Sequence, residues 1–509
     1  MATDTFLIGI LCIAGISLTP VSAQFPALCV QNATLPNATC CPTPPGFTEP
    51  CGGPGRGRCI PLQNTDDLRN VPEANLLDDR FDWPTSFFQY ACNCVGNFSG
   101  YMCHECWYGN TGPECNQPIR TVRREIGSLS TEERQRFVSL LQQSMEVPSD
   151  YMVLNTSQSM DPAVDPQFLN VSVFQYLSYL HYYVSRKTNF GNDSLCDDPT
   201  LMWPDFAHGG PAFPLWHRLF SLKWERALRA IAGDETFSLP YWDWIDDGGR
   251  CDVCTNDWFG ATDLTDPLGR LSPESPFSSW RIMCNPPANG CHICDPYVDN
   301  GPIIRQPGAN PLYRNLPTRE AVDYTLSLIF YDLDPYSVRS PNTAFRNVLE
   351  GFANQDGPSI INSSVHNLVH SFMNGTMSEL ATAAMDPVFL VHHTFVDKLF
   401  ETWLRRNQAT ARRLPLVGAQ PGHNRNSFLV PFFPLESAFE FFQSCVNLGY
   451  DYDDIRTGEA DDNTGKLTED ADWRSRRQHC LTVKRQRKAE MDNRRHILGL
   501  LHFDGKGSP

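Results

Sequence analysis

Two stretches, Ser364–Phe372 (SVHNLVHSF) and Asp386–Trp403 (DPVFLVHHTFVDKLFETW), decide how this chain is read. His366 and His370 stand four residues apart, so on a helix both imidazoles leave the same face one turn apart and can grip one metal ion. The second stretch opens after Asp386-Pro387, reads as another helix, and offers a third ligand from the pair His392-His393. A matching set lies upstream, with His181 in YLHYYVSR and His208 and His217 in FAHGGPAFPLWHRLF. Singly, each of these histidines reads as an ordinary core or surface residue. Together they lie among Phe206, Phe213, Trp216, Phe220, Phe389 and Phe395, which would bury the rings. Neutral imidazole is a good ligand, and several unpaired rings buried without a metal or hydrogen-bond partner would be costly. Two all-imidazole sites suit zinc or copper better than iron or nickel, while oxygen-seeking magnesium and calcium fit badly.

Working outward, the chain around these sets is amphipathic at helical spacing. Ser130-Thr131-Glu132-Glu133 has the chemistry of a helix start before RFVSLLQQSM, and further helices are predicted over 172–187, 212–231, 360–373 and 387–406. Strand alternation is scarce, and Pro/Gly-rich loops join the helices. The fold class is therefore mainly α, a helical bundle with long loops over 119–455. Of the 509 residues, 41% are hydrophobic and 19% charged, enough apolar material for a large core. A net charge of −17 argues against a nucleic-acid partner, which would need a basic face.

Residues 24–118 differ. They hold ten cysteines, much Pro and Gly, and little helical periodicity, as a small disulfide-rich module does. The spacing of Cys92, Cys94, Cys103, Cys106 and Cys115 is similar to that of epidermal-growth-factor-like repeats. Cys103-x-x-Cys106 reads as disulfide-forming or as half a zinc site. Residues 1–23 read as a signal peptide, with the apolar run FLIGILCIAGISLTPV ending in Val21-Ser22-Ala23. Cleavage there would remove Cys12 and leave eighteen of nineteen cysteines, an even number that could all pair. Eight N-x-[ST] sequons fit a glycosylated protein of the secretory lumen or exterior. No later stretch is apolar enough for a transmembrane helix. Residues 456–509 run from acidic to basic with little apolar content, as a solvated, disordered tail would.

Several motifs, in order, resemble the animal tyrosinase family: FAHGGPAFPLWHRLF, SLPYWDWIDD, CDVCTND, FRNVLEGF, VHNLVHSFMNGTMS and DPVFLVHHTFVDKLFETWLRR, with the cysteine-rich start and LGYDYDD near 450. The resemblance covers about 25–455. It implies a type 3 dicopper site in a helical bundle: one copper on His181, His208 and His217, the second on His366, His370 and His393, with dioxygen as co-substrate. It further implies that Glu350 and Asn367 hold a water that helps deprotonate a phenol, and that Phe352, Ser371, Ala383 and His392 shape the substrate pocket. His392 reads as a packing or hydrogen-bonding neighbour of the ligands rather than a ligand, Asp397 as a structural acceptor, and Tyr241-Trp242-Asp243-Trp244 as core and turn.

The implied activity is oxidation of tyrosine to dopa and of dopa to dopaquinone in melanin formation. Small phenols and catechols would be the substrates, the melanosome or the exterior the location, and related melanogenic proteins the associates. The alternatives are a tyrosinase-related zinc enzyme such as a dopachrome isomerase, against which the double histidine at 392–393 speaks, and a hemocyanin-like oxygen carrier. Family members of the melanosome end in a membrane helix and a short cytosolic tail, to which residues 456–509 bear no likeness.

Overall fold

The structure, a computed structural model, describes residues 24–30, 38–66, 78–155, 168–186, 204–245, 247–284, 299–352 and 364–455. The expected signal peptide, several sequons and the charged tail lie outside these residues. A one-turn helix α1 (Ala27–Val30) follows the short strand Phe25–Pro26, which joins Pro148–Leu154 and Phe168–Ser172 in an antiparallel three-stranded sheet.

Two of the helices begin at reciprocal side-chain caps. α2 (Thr131–Glu146) starts at Ser130, whose hydroxyl accepts from the Glu133 N–H while the Glu133 carboxylate returns to the Ser130 N–H. Ser172 and Gln175 build the same reciprocal cap for α3 (Val173–Ser185). Nearly every side chain of α3 is buried, polar ones included, so it is the central helix of the bundle. α4 (Phe213–Ala232) carries Pro214 in its first turn, where no intrahelical N–H is lost, and stops at Gly233 in the left-handed conformation. α5 (Arg319–Ser327), α6 (Phe345–Glu350), α7 (Val365–Met373) and α8 (Val388–Asn407) follow, and α9 (Ala438–Phe441) is a last single turn. Helices stand where they were expected in 130–146, 212–231 and 387–406, and within 172–187 the described helix is Val173–Ser185. Within 360–373 the described helix begins at Val365, and α5 and α6 are helices that periodicity alone does not single out.

α2 and α3 pack on each other and on α4, and α4 packs on α8. A buried polar knot locks the pair. Asp397 of α8 accepts from Arg218 Nε at 2.5 Å, Tyr450 Oη at 2.6 Å, Tyr452 Oη at 2.6 Å and Arg123 Nη1 at 3.3 Å. The strand Tyr450–Tyr452 that brings the tyrosines there pairs in parallel with Thr121–Arg123.

The cysteine-rich segment is stapled by Cys29–Cys40, Cys41–Cys59, Cys51–Cys92, Cys94–Cys103 and Cys106–Cys115. Cys103 and Cys106 are thus disulfide-bonded, which leaves no thiolate for a half zinc site; Cys251 and Cys254 bond to each other. The eighteen cysteines, which by number could all pair, do not: Cys445 is a free and buried thiol beside Arg405 Nη2 at 3.5 Å. An even count does not bring two sulfurs within bonding reach. The segment packs on the helices by specific bonds: Arg80 Nη1 donates to the Val184 carbonyl at 2.8 Å, and Arg226 Nη2 to the Cys106 carbonyl at 2.7 Å. Among the described residues no helix is long and apolar enough to cross a membrane.

Candidate metal centre

Three elements deliver the first histidine set. His181 comes from the buried α3, His208 from the loop 205–212, and His217 from the second turn of α4, one turn after Phe213. One ligating nitrogen from each lies within 4.8 Å of the others, and the Nε2 atoms of His181 and His208 are 3.3 Å apart. The second set draws on two helices. His366 and His370 leave one face of α7 with their Nε2 atoms 3.0 Å apart, and His393 of α8 brings its Nε2 to 3.4 Å from that of His366. The sets face each other: the His217 and His393 rings stack 4.2 Å apart at 14°, and Phe389 packs 4.8 Å from His181 and 4.0 Å from His393. All six histidines expected as ligands therefore converge in two adjacent groups.

The remaining ring nitrogens decide what those groups can do. His217 Nδ1 donates to the Phe213 carbonyl at 2.9 Å and His370 Nδ1 to the Met377 carbonyl at 2.8 Å. His366 Nδ1 is shared between the Glu350 carbonyl at 3.1 Å and Asn367 Oδ1 at 2.9 Å. His208 Nδ1 bonds the Asp205 carboxylate at 3.0 Å. A carbonyl or carboxylate partner puts the proton on Nδ1, leaving a lone pair on Nε2 directed into the group. His217 Nε2 is buried with no hydrogen-bond partner, a cost of about 1–3 kcal/mol that a metal ion removes. Burial, with neighbouring imidazoles, holds His181, His217, His366 and His393 well below the ordinary histidine range; His370 is pushed down to about 4, mainly by burial. Burial also disfavours charge on His208, but Asp205 outweighs it and raises the ring above its ordinary value. The donor set is thus six imidazoles, five buried and His370 half-buried, most held neutral, and it fits soft or borderline ions such as copper.

His392 lies within ligating range of the second group but has a different partner. Trp244 Nε1 donates to its Nδ1 at 3.1 Å. A ring that accepts at Nδ1 carries its proton on Nε2, which then has no lone pair for a metal. Trp244, expected as core and turn, is buried as expected but has this second role, which no spacing in the sequence signals.

Glu350 ends α6, buried, with Oε1 accepting from the Gly209 N–H at 2.6 Å and Oε2 from Arg346 Nη1 at 3.0 Å. Burial pushes its carboxyl up to about 7 against the pull of Arg346 and His208. Glu350 and Asn367 meet at His366, one through its backbone oxygen and the other through its side chain. Phe352, half-buried, follows Gly351 and donates its N–H to the Asn347 carbonyl at 3.0 Å. Ser371 follows His370 on α7, half-buried, and Ala383 is buried in the turn Ala383–Met385 that leads into α8. Asp205 and His423 escape a reading of the sequence altogether, although both bond the loop that carries His208.

Residues 171–406 match the family model described as the common central domain of tyrosinase. Tyrosinase of Pelophylax lessonae is 40% identical over 444 residues, 84% of this chain and 81% of that protein. Tyrosinase of Felis catus is 39% identical over 466 residues, 89% and 86% of the two chains. The 5,6-dihydroxyindole-2-carboxylic acid oxidase of Gallus gallus is 38% identical over 456 residues, 85% and 83%. Among solved structures, a polyphenol oxidase from Thermothelomyces thermophila is 19% identical with a TM-score of 0.43, covering 65% of this chain and 88% of that one.

Proposed function

The chain belongs to the tyrosinase family, and from that premise we propose that it is a copper-dependent monooxygenase and catechol oxidase, taking tyrosine to dopa and dopa to dopaquinone. The observation that carries this reading is the convergence of two three-histidine groups joined through the stacked His217 and His393 rings.

His181, His208 and His217 would hold one copper ion, and His366, His370 and His393 the other. When bound, the pair supplies the redox chemistry by which dioxygen oxidises a phenol. The chain's own part is to hold and orient. The Nδ1 protons of His208, His217, His366 and His370 are committed to fixed acceptors, so each ring presents its Nε2 at a set angle. Phe213, Phe389 and Trp216 wall the rings and keep water from them. Glu350 and Asn367 flank His366, where a water they share would take the proton of an incoming phenol, a group mostly protonated at neutral pH. His392, held by Trp244, would line the pocket as a hydrogen-bond donor, with Phe352, Ser371 and Ala383 shaping its mouth.

In the same reading the enzyme works in the secretory lumen, the melanosome or the exterior, in melanin formation and beside related melanogenic proteins, and residues 24–118 are a module stapled onto the catalytic part, 119–455. The test is metal analysis of the purified chain with oxygen-uptake assays on tyrosine and dopa. Two coppers per chain and oxidation of both substrates are expected. Zinc with no oxidase activity, or reversible oxygenation with no phenol turnover, would refute it.

A further inference from the structure

His423 is buried, lies far from the other histidines in sequence, and takes no part in either three-histidine group. Both of its ring nitrogens are nevertheless used. Nδ1 accepts from the Ala212 N–H at 3.2 Å, and Nε2 faces the Asp205 carbonyl at 2.8 Å. An acceptor Nδ1 and a donor Nε2 define one neutral tautomer. Those two partners are the first and last residues of the loop 205–212, so a single ring bridges the loop that carries His208.

The surrounding chain is shaped for this contact. A Cβ on Gly210 would lie 2.5 Å from His423 Nδ1, so only glycine lets the loop close on the ring. Gly422 is in the left-handed region with φ +85, and a Cβ there would meet the Phe206 ring at 2.4 Å. Gln420 adds a bond from its amide to the Asp205 carbonyl at 3.1 Å. Behind His423, Asp66 accepts from the Gly422 N–H at 3.1 Å and from the Ser427 hydroxyl. A chain of contacts thus runs from Asp66 through 420–427 to the loop, and Asp205 at its end bonds both the backbone N–H and the ring of His208.

We propose that His423 is a positioning residue for the first metal group: as a neutral clamp across residues 205–212 it fixes where His208 stands relative to His181 and His217. It touches neither metal nor substrate. This rests on His208 being a ligand of the first copper.

The full-length chain tests it with three variants, each checked for native near-ultraviolet circular dichroism. His423→Leu removes both bonds; Gly210→Ala pushes the ring away from the opposite side and leaves the histidine in place; His423→Gln keeps an acceptor and a donor at the end of the side chain. Copper per chain is expected to fall from two toward one in His423→Leu and Gly210→Ala, with the second group retaining its ion, and to recover largely in His423→Gln. In the metal-free chain, amide exchange over 205–212 should rise about tenfold or more in the first two variants, the effect of losing a pair of buried hydrogen bonds. Wild-type copper content and wild-type exchange in a folded His423→Leu or Gly210→Ala would overturn the proposal, as would loss of both coppers together. If His423→Leu does not fold, Gly210→Ala decides. If the wild type itself takes up fewer than two coppers, the functional reading fails, and the exchange data still decide the clamp.

Discussion

Replacing Asp397 with Ala should cost about 3–5 kcal/mol of folding stability, the usual effect of removing one partner from a buried ionic cluster. The structure places the value near the lower end. Arg218 loses Asp397 but keeps Glu401 Oε2 at 3.0 Å and the Gln443 carbonyl at 2.6 Å, and Arg123 keeps Glu225 Oε2 at 2.9 Å. Tyr452 keeps the Thr394 carbonyl at 2.9 Å, which leaves the Tyr450 hydroxyl as the group most exposed to an unmet bond. Asp397→Asn keeps one oxygen acceptor and turns the other into an N–H donor, and should cost about 1.5–3 kcal/mol, the value of a hydrogen bond to a charged group.

The pH dependence has a fixed sign. Burial disfavours the Asp397 carboxylate, but Arg218, Arg123 and the two tyrosines outweigh it and hold its pKa below the usual carboxylate value. Its contribution is therefore complete above the unfolded value of about 3.9 and is lost only as pH falls through the lower folded value. Urea unfolding of the wild type, Asp397→Ala and Asp397→Asn at pH 7 and at stepwise lower pH measures this. The gap between wild type and Asp397→Ala should stay constant across neutral pH and narrow only in strong acid. A gap under about 1 kcal/mol, or an Asn variant as costly as the Ala variant, would refute the reasoning.

His370→Ala removes a proposed ligand of the second group, whose other nitrogen is fixed on Met377, so copper per chain should fall toward one and phenol oxidation should be lost; full activity would mean the ligand is misplaced. His392→Leu should keep both coppers, because Trp244 holds that ring in the tautomer that cannot ligate, and loss of an ion in a metal assay would make His392 a ligand. Glu350→Gln should slow hydroxylation of monophenols by about 10²-fold or more while catechol oxidation changes less, since a monophenol binds through its single hydroxyl and depends on the one base that takes its proton; equal losses on both substrates in oxygen-uptake assays would assign Glu350 to holding the fold.

The amino-acid sequence by itself determined whatever depends on near neighbours. His366 and His370 share a face because helical pitch puts residues four apart on one side, and α2 and α3 begin where a Ser and a Glu or Gln three residues on can cap each other. Aromatic residues beside each histidine marked the groups as buried, and the resemblance of the motifs named all six members. Tertiary structure decided everything that depends on a distant partner. His392 and His393 are adjacent and chemically identical, yet Trp244, 148 residues away, takes the Nδ1 of one and leaves the other facing the metal site. Nothing near His423 signals a clamp, because its partners Asp205 and Ala212 lie more than two hundred residues upstream. Cys445 stays unpaired for the same reason: bonding requires two sulfurs to meet in space, and no count of cysteines records where the chain brings them.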